Sequence, residues 1–112
     1  MRLATPVEST GHTGHAWGKA HWVAVAEVAD GTISDWQVHE VAWDVSHDAG
    51  THGSHHARVV TFLREQRIDA IVVDHVGEGM RQMLATMNIP MLPSTPGDAM
   101  ESVLAAVRAS ID

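Results

Sequence analysis

The chain has 112 residues, 45% of them hydrophobic, and a formal charge of -7 at pH 7. That length fits one domain, residues 1–112, and buries roughly two thirds of the unfolded surface, enough for a real core. The acidic balance repels phosphate backbones, and no apolar run approaches the ~20 residues that span a bilayer, so neither nucleic acid nor membrane is an expected partner. The absence of cysteine removes disulfides, thiolate metal ligands and a cysteine nucleophile together. No charged-then-apolar leader precedes Leu3, which makes the cytoplasm the expected location. Nine histidines are many for this length, and histidine is therefore the informative residue type.

In chain order, residues 3–7 form an apolar run that contains Pro6, which suits a strand only where the missing amide faces no partner. Residues 8–20 read as loop. Residues 22–28 are rich in valine and tryptophan, Asp30-Gly31 follows, and residues 33–41 alternate, which predicts an antiparallel hairpin with a type I′ turn. The stretch His47-Asp48-Ala49-Gly50-Thr51-His52-Gly53-Ser54-His55-His56 has no periodicity and reads as a loop entering a helix at Ser54. His56, Val59, Val60 and Leu63 then share one helical face, carrying that helix to about Arg67.

Residues 70–73 are a continuous apolar strand, the mark of a buried position in a sheet covered on both faces. Gly77-Glu78-Gly79 breaks it, and Met80, Met83, Leu84 and Met87 place a second helix ending near Asn88. Residues 89–92 make a last short strand with Pro90 at its start. Thr95 is expected to cap a third helix with Pro96 at its first position and Asp98 at its N-terminal dipole. Its stripe would be Met100, Val103, Leu104, Val107 and Ile111. The order βββαβαβα gives an α/β fold, a mixed sheet between two layers of helices. In such sheets ligands sit beyond the carboxyl ends of the parallel strands, where residues 8–20, 45–54 and 74–79 would converge, all carrying histidine.

Four of the ten residues from His47 to His56 are imidazoles, which suits zinc, copper, nickel or iron; a solvated loop would look the same. His12 and His15 read either as a second contribution to that site or as surface imidazoles. Asp74-His75, ending a buried strand, offers a ligand, a carboxylate that orients an imidazole, or a turn cap. The amides of Gly77-Glu78-Gly79 open a helix and suit an anion. Trp17, beside the first loop, is the tryptophan placed to line a pocket, whereas Met80, Met83 and Met87 read as core and His21 and His39 as structural or exposed. No catalytic motif stands out: the first strand lacks the carboxylate of a two-metal nuclease and there is no Gly-x-Ser-x-Gly elbow, while a metal-dependent hydrolase built from histidines stays open without a motif in its favour.

Trp17-Gly18, the strand that follows, the Asp30-Gly31 hairpin, His52-Gly53-Ser54-His55-His56 and Val76-Gly77-Glu78-Gly79 together resemble the dinitrogenase iron-molybdenum cofactor biosynthesis family, the NifX-like and NafY-like domains also found at the end of some NifB proteins. The resemblance covers almost the whole chain. It departs at Ala16, where the family has histidine and this chain carries His15 one place earlier, and at Asp74-His75, which replace two glycines. It implies a ribonuclease H-like three-layer fold. It also implies a non-catalytic protein that binds or carries an iron-sulfur or iron-molybdenum cofactor precursor, or a single transition metal ion. The implied metal ligands are His15, His52, His55 and His75, with His12, His47 or His56 as substitutes, and Trp17, Gly18, Gly77 and Gly79 would surround the cofactor. The implied partners are a cofactor donor or acceptor protein, with the chain a monomer or small homo-oligomer. The alternative is a regulatory or interaction module whose histidines are incidental.

Overall fold

A computed structural model describes residues 1–46 and 52–111, and at 52, 53 and 111 only the backbone. His47 and the side chain of His52 thus lie outside the described residues. The elements run β1 (Arg2–Val7), a 3-10 turn (Trp17–Lys19), β2 (Trp22–Ala29), β3 (Thr32–Glu40), α1 (Trp43–Ser46), α2 (His52–Glu65), β4 (Ala70–Val73), α3 (Glu78–Thr86), β5 (Met91–Pro93) and α4 (Ala99–Ile111). The five strands form one mixed sheet in the order β3-β2-β1-β4-β5. The β1–β2 and β2–β3 pairs are antiparallel, whereas β1–β4 and β4–β5 are parallel. Asp30 and Gly31 both take positive φ (54° and 74°), as the type I′ hairpin requires.

Side chains alternate between the two faces of the sheet. Ala4, Val25 and Ile71 pack with Trp17, Trp43, Val59, Leu63, Met80 and Leu84 under α2 and α3. Leu3, Ala26 and Val72 pack with Val103, Ala106 and Val107 of α4 on the opposite face. This is the expected three-layer sandwich. β4 lies inside the sheet with all four residues buried, as its unbroken apolar run requires. Among the described residues no helix is long and apolar enough to cross a membrane.

Three local expectations are corrected. α2 begins at His52, and its buried line is His55, Val59 and Leu63, with His56 only half-buried. α4 begins at Ala99, not beside Thr95: Asp98 caps it, its Oδ2 accepting the Glu101 amide at 3.0 Å. The cause is Gly97, whose φ of 133° is incompatible with a helix, so the helix cannot form until the glycine is passed. The stripe moves with it, leaving Met100 exposed and Leu104 half-buried while Ala99, Val103, Ala106 and Val107 face the sheet. Finally, α1 is a single turn that no periodicity announced; it seats Trp43 in the core.

The inner strand β1 contains Pro6, and its consequences position everything at that end of the sheet. The parallel register pairs Leu3 with Ala70 and Ala4 with Ile71, and goes no further. The next rung would need the amide of residue 6 to donate to the Val72 carbonyl, and proline has none. The Thr5 hydroxyl donates to that buried carbonyl instead, at 2.8 Å. The Pro6 carbonyl accepts from the Gly14 amide at 2.9 Å, so the first loop fills the gap where β1 and β4 part. A Cβ at Gly14 would stand 3.2 Å from the Pro6 carbonyl carbon, tighter than backbone readily allows.

Two substitutions test this packing. Leu63→Ala, at a fully buried position, is expected to lower the unfolding free energy by about 2 to 5 kcal/mol in a urea titration, and half-buried Leu104→Ala by less. Equal costs would contradict the assignment of α4's buried stripe. Thr5→Val, nearly isosteric, strands the Val72 carbonyl and is expected to cost about 1 to 3 kcal/mol. An unchanged denaturant midpoint would show that the hydroxyl does not replace the missing amide.

Candidate functional site

Beyond the point where β1 and β4 part, a cleft of about 400 Å³ opens. Three segments wall it: residues 16–19 of the 3-10 turn, His55 and His56 of α2, and residues 75–80 at the start of α3. Two of these segments follow the carboxyl ends of β1 and β4, where an open α/β sheet places ligands. Trp17 forms part of the wall and is 1% exposed. Its ring meets Trp43 edge-on at 5.2 Å, Trp43 meets Phe62 at 5.5 Å, and Phe62 meets His39 at 5.6 Å. This line of rings runs from the cleft to β3 and holds the 3-10 turn against the core.

Glycines leave room for the imidazoles. A Cβ at Gly18 would lie 3.4 Å from His55 Nε2, and one at Gly79 would lie 3.1 Å from His56 Cε1. Gly77 caps α3 in an extended conformation without any side-chain cap, and Glu78 is the acidic residue of the first turn. The lining is otherwise apolar at Val76 and Met80 and cationic at Lys19. The indole Nε1 of Trp17 is buried and has no hydrogen-bond partner among the described residues. Such an N–H is only a donor.

Of the histidines singled out in the sequence, His55 and His75 line this cleft, as do Trp17, Gly18, Gly77 and Gly79. His56, expected only as a substitute, lines it too. His15 belongs to the neighbouring groove, together with Gly14, His21 and Asp44. Its exposed ring reaches back to Asp74 Oδ2 at 3.3 Å, which ties it to the residue before His75. His12 is exposed and bonds Thr10 Oγ1 at 3.0 Å, away from the cleft. Among the described residues no group of three or more His, Asp or Glu stands close enough to hold a metal ion.

One perturbed pair was not legible in the sequence. His21 is raised above its ordinary value by hydrogen bonds to Glu40 and then Asp44, against a small desolvation. Asp44 is lowered by His21. The partners lie 19 and 23 residues away in sequence, and no local spacing points to them.

The architecture is shared with solved structures. The PH0822 protein matches with a TM-score of 0.74 at 13% identity, covering 98% of this chain and 92% of that one. The MJ0327 protein of Methanocaldococcus jannaschii matches with a TM-score of 0.72 at 10% identity, covering 97% and 89%. The apo form of the orange protein from Desulfovibrio gigas matches with a TM-score of 0.70 at 19% identity, covering 99% and 87%. At these identities the likeness is one of fold. No curated protein matches the chain. The sequence profile of the family described as dinitrogenase iron-molybdenum cofactor matches residues 1–110, and the chain accordingly belongs to that family.

Proposed function

We propose that this protein binds and carries, without chemically transforming it, an iron-containing cofactor of the iron-molybdenum or iron-sulfur type, or a precursor of one, as cargo in the Trp17–His55–His75 cleft. The observation that carries the reading is the cleft itself, which gathers His55, His56 and His75 with Trp17, Gly18, Gly77 and Gly79 at the end of the sheet that follows β1 and β4. The family membership points to the same class of cargo.

The donor set limits what the cargo is. With no cysteine, the chain supplies no thiolate, so the sulfide ligands of a cluster must arrive with it. His55 and His75 supply imidazole nitrogens, His56 stands beside them, and the start of α3 favours a net negative ligand. His15 and His52 belong to the proposed ligand set with His55 and His75; His52 begins the helix that carries His55, and His15 bonds Asp74, the residue before His75. Carriage further implies a donor and an acceptor protein that reach the open side of the cleft.

The test is retention. Purified protein is incubated anaerobically with ferrous iron, sulfide and molybdate, passed over a gel-filtration column and analysed for metal. Metal is expected to co-elute with the chain. His75→Ala, at an exposed position, and His55→Gln are expected to lower the affinity about 10-fold or more, while exposed His12→Ala leaves it unchanged. Binding is expected to weaken below about pH 6, where free imidazoles charge. Absence of co-eluting metal, or equal retention by all three variants, would remove the carrier reading.

A further inference from the structure

His21 stands at the junction where β3 gives way to α1, with a carboxylate on either side of its ring. Its Nδ1 lies 2.8 and 3.0 Å from the two oxygens of Asp44, and its Nε2 lies 2.7 Å from Glu40 Oε2. Ionised carboxylates only accept hydrogen bonds, and a neutral imidazole has one N–H and one lone pair. A neutral ring therefore keeps one of these contacts and sets its lone pair against the other carboxylate. Only the imidazolium, with two N–H groups, satisfies both. The upward displacement of His21 by Glu40 and Asp44, and the downward displacement of Asp44 by His21, agree with this hydrogen-bond count.

The junction it spans delivers Trp43. The amides of Val41 and Ala42 both donate to the His21 carbonyl at 3.0 Å, and the Trp43 amide donates to Ala20 at 2.9 Å. Ala42 sits at φ 50°, a conformation a non-glycine residue adopts only where its surroundings enforce it. Asp44 follows Trp43 directly, and Trp43 packs edge-on against Trp17 in the cleft wall. Releasing Asp44 thus frees the residue next to the ring that braces Trp17.

We propose that the His21 imidazolium is a pH-operated latch on the β3–α1 junction, holding Trp43 and through it Trp17, and so setting the shape of the cleft. The inference rests on the cleft being the binding site. The other charged groups that share the groove with His21 are Glu8 and His15 of the first loop and Lys19 of the 3-10 turn, while the Trp22 ring covers the imidazole edge-on at 5.0 Å. Of these neighbours Glu40 and Asp44 are the ones that hydrogen-bond the ring.

The sign follows from the directions of displacement. His21 is raised on folding, so its contribution is fully present below the ordinary value of 6.5 and is lost as pH rises through the higher folded value. Asp44 is lowered, so its contribution is present above 3.8 and is lost as pH falls through the depressed folded value. The latch is closed between these limits and opens on the alkaline side.

The test uses the full chain with no metal added. The His21 ring and the indole N–H signals of Trp17 and Trp43 are followed by NMR from about pH 5 to about pH 9, the range over which histidine changes charge. The expected result is a His21 midpoint above about 6.5, with both indole signals moving at that same midpoint. In Asp44→Asn the amide can donate to a neutral His21 ring while the ring donates to Glu40, so both contacts survive loss of the proton. That variant is expected to lower the His21 midpoint and abolish the coupled indole response. Indole signals that stay constant while wild-type His21 titrates, or an identical response in Asp44→Asn, would overturn the latch. Because the measurement needs no cargo, it can fail while metal retention succeeds, and the reverse.

Discussion

The absent amide of Pro6 decides where this molecule opens. In an inner strand, a lost donor would ordinarily leave a buried carbonyl unmet, and a sheet interior tolerates that poorly. Here the cost is met locally, by the Thr5 hydroxyl on Val72 and the Gly14 amide on Pro6 itself. The β1–β4 ladder ends two rungs in, and the chain leaving β1 turns across the gap rather than away from it. Gly14 makes that turn fit, because only a residue without a Cβ approaches the Pro6 backbone so closely. The 3-10 turn with Trp17 and the α3 start after β4 then face each other across the opening.

What keeps the opening in shape is aromatic. Trp17, Trp43 and Phe62 pack edge to face in succession, each too large to move without displacing the next. Phe62 belongs to α2, the helix that also presents His55 and His56, so one packed line fixes two of the three walls. α1 is a single turn, and the ion pairs of His21 with Glu40 and Asp44 span the junction that leads into it. Rigid rings inside and a titratable contact outside make the wall stable yet adjustable.

The layered order was legible because each of its signals is local. Asp30-Gly31 needs positive φ at both residues, and the continuous apolar run of β4 has no place except inside a sheet. The element order together with the family resemblance put the segments after β1 and β4 at one end of the sheet, with Trp17, Gly18, Gly77, Gly79 and four histidines among them and the start of α2; of that set the structure lines one cleft with Trp17, His55, His75 and the three glycines. What was not legible depends on contacts distant in sequence or on single dihedrals. Thr95-Pro96 looks like a helix start, and only the positive φ of Gly97 moves the cap to Asp98. His15 precedes Ala16 instead of Trp17, and the structure puts it in the adjoining groove, paired with an aspartate 59 positions further on. His21 reads as an ordinary hairpin histidine until Glu40 and Asp44 are brought to both sides of its ring.

The central claim is that cargo enters the cleft between the 3-10 turn, α2 and the start of α3 and is held by those walls. It is tested most directly by the amide and indole spectrum of the protein before and after anaerobic loading with iron, sulfide and molybdate. An iron-containing cargo perturbs the nuclei nearest to it, so the account predicts changes at the Trp17 indole, Gly18, Gly77 and Gly79. The signals of the Asp30-Gly31 turn and of α4 on the opposite face should stay in place. Loaded protein whose perturbed residues lie in the hairpin or on α4, with Trp17 and the α3 glycines unchanged, would contradict it.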